Sequence, residues 1–455
     1  MQTAQSKGGS AVKALLAALK NDHEQKTLTD DQREQTLAEL KALGRDVNSI
    51  KGIYDGQTVS LFLHYGLGAF PKAVQREALR CLANALILVP STQDALAKSA
   101  RLPSVADYYD TPEDDDEFLG ARILFLMTYN ASANMAQIVK DNGLAGKVCS
   151  QLRRHESMSE SLVGAGMTSM ALSETLKLIF NIVNLVPQCS QSFTVAVPVL
   201  YAMLEKAQVP NPPLQPPLTY LLNAIACIDA GEGEDATIAA SRYLPDVGIL
   251  PAAVDKLVSI LDKALVSYTA SQLDTQLISL LTILRRVNAL AGQSMRTKLK
   301  QSLLPSDNER DLPLGQSSTL ASRLLKLVTG PGLTHLPEAV SSLLFELSDK
   351  DAHKYVQNVG YGYAAGYLMT HKIPIPENAK GASPGSTPIN PVTGQRLDKE
   401  PDIPQPKMSK EEKEREAERL FVLFERLKAT GVMDVKNPVE QARDEGRLQE
   451  ASDSE

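Results

Sequence analysis

From about residue 10 to residue 370, apolar residues recur at i, i+3, i+4 and i+7 in one stretch after another, separated by short breaks rich in Pro, Gly, Asn or Asp. That period belongs to helices that bury one face. The clearest stretches run over 73–88, 117–129, 173–185, 216–228, 252–261, 275–290 and 336–347. None of comparable length alternates with period two, so no sheet is expected. A chain of 455 residues built this way has two options. It can form several domains of roughly 150 residues, or a repeat array, which has no single core to outgrow. Internal similarity favours the array. Arg80-Cys-Leu-Ala-Asn84, Arg122-Ile-Leu-Phe-Leu126, Lys177-Leu-Ile-Phe-Asn181 and Thr219-Tyr-Leu-Leu-Asn223 share a shape, and their first residues are 42, 55 and 42 apart. Steps near 42 fit armadillo or HEAT repeats of about 40–47 residues. The longer step leaves room for an insertion at 151–170. The expected fold is an all-α, armadillo/HEAT-like α-solenoid over residues 1–371.

Composition agrees with helices and narrows the chemistry. Hydrophobic residues make up 43%, aromatics only 5%, and Trp is absent. Net charge is −7, which argues against a nucleic-acid partner, since such a protein shows a basic face. Cys81, Cys149, Cys189 and Cys227 are widely spaced and form no CxxC, so reduced core thiols are expected. The start is polar, with no apolar segment of signal-peptide form, and no apolar run reaches the roughly 18 residues that span a bilayer. A cytoplasmic protein is expected, without membrane insertion. No P-loop, GxSxG or HExxH occurs, and Gly143-Leu-Ala-Gly-Lys147 has the wrong spacing for a phosphate loop. The six histidines form no metal-ligand pattern. The expectation is a nonenzymatic protein without cofactor or metal.

Two features point to a partner. Asn84, Asn181 and Asn223 hold equivalent places in the repeat-like segments, and a side-chain amide can both donate and accept. Arg80 and Lys177 stand one turn earlier, on the same face at i and i+4. Arg122 shares that register, although Leu126 replaces the amide. Lys41 and Arg45 repeat the basic spacing near the N-terminus. Together they outline a groove of amides and positive charge suited to an acidic peptide or a C-terminal carboxylate. The alternative is that each Asn bonds a neighbouring helix and each basic residue is solvated. The second feature is the tail. Residues 372–408 are rich in Pro, Gly, Ser and Asn, which suits a flexible linker. Residues 409–455 then begin with Ser409-Lys-Glu-Glu412, a capping-box pattern. An apolar stripe follows at Ala417, Leu420, Phe421, Phe424 and Leu427. A short helix of this kind needs something to dock against.

These residues resemble the synembryn family. Glu77-Ala-Leu-Arg-Cys-Leu-Ala-Asn84, Arg122-Ile-Leu-Phe-Leu-Met-Thr128 and Glu174-Thr-Leu-Lys-Leu-Ile-Phe-Asn-Ile182 are similar to its helical segments. Gly360-Tyr-Gly-Tyr-Ala-Ala-Gly366 matches its GYGxAAG signature. Ile389-Asn-Pro-Val-Thr-Gly394, followed by Met408-Ser-Lys-Glu-Glu-Lys413 and the amphipathic helix, is more specific still. The resemblance covers about residues 35–430, and its detail is similar to a fungal branch.

The resemblance implies a right-handed armadillo/HEAT superhelix that acts as folding chaperone and guanine nucleotide exchange factor for heterotrimeric G-protein α subunits. It implies a monomeric, cytoplasmic protein that reaches the cell cortex through its client. The client's C-terminal helix would lie in the concave groove. Asn84, Phe125, Phe180 and Asn181 match groove positions, and Lys41 and Arg45 match a basic pair there, with Lys for Arg at the first. Leu420, Phe421 and Phe424 match the client-gripping helix, and Leu427 extends the stripe. An acidic Ser/Thr stretch that animal members carry is replaced here by Glu377-Asn-Ala-Lys-Gly-Ala-Ser-Pro-Gly-Ser-Thr-Pro388. An armadillo-type adaptor for extended peptides, without exchange activity, is the competing function.

Overall fold

The computed structural model describes residues 2–158, 162, 164, 166–228, 249–374, 389, 390, 392–400, 409, 412 and 415–422. The chain forms two units, residues 1–399 and 400–455. Among the described residues no strand forms, and an isolated bridge joins Ile389 to Arg396. Helices start where the sequence supplies caps. Thr29 caps Asp30–Leu43 with Gln32 reaching back to it, and Asp55 accepts from the Thr58 amide at the start of Gly56–Leu67. Such a side chain satisfies an amide that the helix leaves unpaired.

In the first unit, seven helices pack in order, each against the next. They are Asp30–Leu43, Lys72–Leu88, Asp114–Met127, Met167–Leu185, Leu218–Cys227, Ile278–Leu290 and Leu336–Leu347, referred to below as the row. A second layer comprises Gly56–Leu67, Leu102–Tyr109, Leu144–Glu156, Val197–Lys206, Ile249–Ser267 and Leu320–Val328. Each of these packs on the row helix that follows it. Two layers in which each helix meets only near neighbours make an α-solenoid. Leu40, Leu82, Leu124, Ile179, Leu221, Leu284 and Leu343, one per row helix, are fully buried, and the core they join runs from Val12 to Leu368. The layers approach closely at Gly120, where a Cβ would fall 2.9 Å from the Tyr109 Cα. Cys81, Cys149, Cys189 and Cys227 are free thiols. No described helix is long and apolar enough to cross a membrane.

Four stretches fold otherwise than their sequence suggests. The 275–290 stretch is two helices, Ala270–Gln276 and Ile278–Leu290, meeting at Leu277. The acidic run 110–117, whose charge suggests a solvated turn, supplies the first turn of Asp114–Met127 with Asp116 and Glu117 fully buried. The polar loop 304–315 holds a 3-10 turn, Asp307–Asp311, with Arg310 buried. Within the expected linker 372–408, residues 389–399 belong to the first unit and pack on it, so that stretch is not free chain. Residues 375–388 and 401–408 lie outside the described residues.

Candidate partner-binding surface

The basic residues singled out on the row are ion-paired across it. Lys41 Nζ lies 2.6 Å from Glu77 Oε2, and Arg80 donates to Glu77 Oε1 at 2.5 Å and to Asp115 Oδ1 at 2.8 Å. Burial pushes the Glu77 carboxyl up, and the bonds from Lys41 and Arg80 reverse this and hold it below its ordinary value. Arg122 donates to Glu174 Oε1 at 2.8 Å, and Lys177 reaches the same oxygen at 2.6 Å. The Lys177 ammonium also lies 5.0 Å from the Phe125 ring centre and 5.6 Å from that of Tyr220, within cation–π range. Farther along, Arg285 donates to Glu346 Oε1 at 2.7 Å. Four of the six junctions between successive row helices are thus tied by charge, so most of the positive charge on this surface is met by carboxylates.

The asparagines divide. Asn181 is buried and donates to Thr128 Oγ1 at 2.9 Å, while Asn223 accepts from Ser279 Oγ at 2.7 Å. Both amides are used between helices. Asn84 is half-buried, and its side chain has no hydrogen bond among the described residues. Arg45 is exposed, and it follows Gly44, the C-cap of Asp30–Leu43. The i, i+4 pairing of Lys41 with Arg45 on one helix face therefore does not form, because the helix ends between them. Phe125 is half-buried, with its ring edge-on to Tyr129. Phe180 is exposed, as are Ile87, Tyr129 and Leu185, which lie in or just past the last turns of three successive row helices. Sequence reasoning missed these last three; their signal is apolar character on the polar side of the helical stripe. In the second unit, Ser409 caps Glu412, with bonds of 2.9 and 3.2 Å in the two directions. Leu420 and Phe421 are exposed there. Phe424 and Leu427 lie outside the described residues.

A buried polar cluster stands behind the row. Ligand-type atoms of Asp114, Glu117 and His155 lie within 4.8 Å of one another. The Arg154 guanidinium already serves them, donating to Asp114 Oδ1 at 2.7 Å and also to Glu117 Oε2. Thr175 donates to Glu117 Oε1 at 2.6 Å. Burial pulls the Arg154 guanidinium down, and its two carboxylate partners raise it above its usual value. With a fixed cation in place the cluster is a brace between helices.

At the far end of the array, the two motif segments meet. Gly360 has φ +82, and a Cβ there would fall 3.2 Å from the Val392 carbonyl oxygen. The Gly362 amide donates to that oxygen at 3.2 Å, and the Leu314 amide donates to the Thr393 carbonyl at 3.0 Å. Arg310 donates to the Gly394 carbonyl at 3.0 Å and to those of Gln357 and Asn358 at 2.9 and 3.1 Å. Gly360 and Gly362 thus have a reason in the second motif: backbone must approach the Val392 carbonyl.

A family model described as Ric8, guanine nucleotide exchange factor synembryn, matches residues 36–447, from the first row helix to the tail. The chain belongs to the Ric8/synembryn family. A synembryn-like chaperone of Schizosaccharomyces pombe is 25% identical over 90% of this chain and 83% of its own length. The chaperone Ric-8A of Xenopus laevis is 28% identical over 34% of this chain and 30% of its own. The chaperone Ric-8 of Drosophila pseudoobscura pseudoobscura is 29% identical over 39% and 34%. The fungal relative thus matches almost throughout, whereas these animal chaperones match over about a third of each chain. The matched range takes in the row, residues 389–399 and most of the second unit.

Proposed function

We propose that this chain is a chaperone and nucleotide exchange factor for heterotrimeric G-protein α subunits, acting in the cytoplasm as a monomer. Membership of the Ric8/synembryn family over residues 36–447 carries the reading. The client's C-terminal helix docks along the row, against Asn84, Phe125, Phe180 and the exposed Arg45. Lys41, Arg80, Arg122 and Lys177 act there through the carboxylates they neutralise, keeping the row helices in register, with Asn181 and Asn223 as interhelical ties. The helix that begins at Ser409 grips the client a second time, through Leu420 and Phe421, with Phe424 and Leu427 continuing its stripe.

The exchanger has no need to touch nucleotide. Withdrawing the client's C-terminal helix from its own sheet loosens the GDP site built on the adjoining loop. A protein that prefers the nucleotide-free client must weaken GDP by the same coupling free energy. The adaptor alternative depends on a ladder of free amides. Two of the three amides are spent inside the array, which favours the exchange reading.

The test is GDP release from a panel of α subunits, with a pull-down on their C-terminal peptides. Arg45→Glu and Phe180→Ala should each slow release several-fold, on the order of 1 kcal/mol of lost contact, while helix content stays unchanged. Peptide binding without any acceleration of release supports the adaptor and overturns the exchanger.

A further inference from the structure

We propose that residues 389–399 form a latch, with Arg310 as its positioning residue, and that the latch shortens the tether of the client-gripping helix; this rests on the function proposed above. The latch is built from fixed backbone. Its Asn390 and Gly394 close a turn in which the Gly394 amide donates to the Asn390 carbonyl at 2.8 Å, and Ile389 bridges to Arg396. The Arg396 amide then donates to the Arg310 carbonyl at 2.8 Å, and the buried Gln395 donates from Nε2 to the Asp311 carbonyl at 3.0 Å. The Arg310 guanidinium joins the latch to the end of Ala352–Val359 by accepting no proton and donating to three carbonyls. The carboxylate it pairs with, Asp307, lies 4.0 Å away and is exposed, so the hydrogen bonds to neutral carbonyls do most to place it, while burial lowers its pKa. Gly394 has φ +69, a conformation that strains a β-branched residue, and a Cβ there would fall 2.4 Å from Leu314 Cδ1, so a side chain at this position works against the latch and displaces Leu314.

The consequence follows from chain length. Without the latch, the last anchored residue among the described residues is Ile373, whose amide donates to the Leu368 carbonyl at 2.8 Å. From there the tether to Ser409 is 36 residues long; from Lys399 it is 10. For a tether that spans both sites, effective concentration falls roughly as the −3/2 power of length, about sevenfold here. The latch thus supplies avidity for a two-site client without touching it. The row residues and the gripping helix would each be unchanged when it opens, and only their cooperation would fall.

Gly394→Val in the full-length chain tests this from the latch side, and Arg310→Ala from the array side. Hydrogen exchange at the Gly394 and Arg396 amides reports whether the latch is closed, and binding to an α subunit reports the avidity. The expected result is loss of protection at those amides and roughly sevenfold weaker client binding, carried by a faster off-rate. In a Leu420→Ala/Phe421→Ala/Phe424→Ala/Leu427→Ala background the same Gly394→Val change should have no further effect on binding, because no second grip remains to be tethered. An open latch with undiminished binding overturns the proposal, as does an equal loss in that background, which marks a merely structural effect. Unprotected amides in the wild-type chain overturn the latch outright. A wild-type chain that binds no α subunit overturns the functional reading instead, and the exchange measurement still decides whether the latch exists.

Discussion

Asp22 illustrates how much of the array rests on single buried charges. Its carboxylate accepts from Arg33 Nε at 2.7 Å, from the Tyr65 hydroxyl at 2.7 Å and from the Leu28 amide at 2.7 Å, with the side chain almost fully enclosed. Burial pushes its pKa up, and these bonds outweigh it, leaving it lowered to about 2. A carboxyl depressed on folding stabilises the protein above its unfolded value of 3.8 and loses that contribution as pH falls toward 2. The difference amounts to about 2 kcal/mol. Asp22→Asn should therefore destabilise the chain at pH 7 by that order, with the gap to wild type closing below about pH 3. Parallel denaturation curves at pH 7 and pH 2.5 check it, and a gap of constant size would show that the charge is not what matters. Nothing in the spacing of residue 22 announces this role. Its partners are 6, 11 and 43 positions away and meet only after three helices pack.

The elements were far more legible than their partners. Leu336–Leu347 follows from apolar period alone, and Lys72–Leu88 differs from it by one residue. The period carries this information because each helix buries one stripe against its neighbours. The same reasoning fails where polar groups are buried. Asp116 accepts from Lys72 at 2.6 Å, Arg76 at 2.7 Å and the Tyr108 hydroxyl at 2.7 Å, partners supplied by two other helices. An acidic run read alone has no way to show them. The candidate site was half legible for the same reason: register placed Arg80, Arg122, Lys177 and the asparagines on one row, but partners such as Asp115 for Arg80, Glu174 for Arg122 and Thr128 for Asn181 come from neighbouring helices. Close packing between elements is equally hidden. Gly120 looks like a weak point in a helix, where Ala would ordinarily add about 1 kcal/mol. Here an added Cβ would press on the Tyr109 backbone, with Cα at 2.9 Å and Cβ at 2.8 Å. Gly120→Ala should cost about 1–3 kcal/mol net through overpacking, read by urea denaturation; a stabilised variant would mean that Leu102–Tyr109 can move aside.

At the scale of the molecule, the arrangement of contacts decides how damage spreads. Each row helix meets the next and its own second-layer partner, so stability is a sum of local terms and nearest-neighbour interfaces. The core is continuous from Val12 to Leu368, yet among the described residues the helices of one end do not pack on those of the other. A cavity at the N-terminal end should therefore loosen that end alone. Leu40 is fully buried in Asp30–Leu43, and Leu40→Ala removes about 2–5 kcal/mol. Hydrogen exchange should then show lost protection in Asp30–Leu43 and in its neighbour Lys72–Leu88, fading along the row, with Leu336–Leu347 and the latch amides unchanged. Uniform loss from end to end would mean that the array unfolds as one unit, and the nearest-neighbour reading would fall. The functional consequence has the same geometry. Arg45 and the Lys41–Glu77 pair belong to the loosened end, whereas Arg310 and residues 389–399 belong to the other, so Leu40→Ala should weaken the row's hold on a client while leaving the tether of the second grip intact.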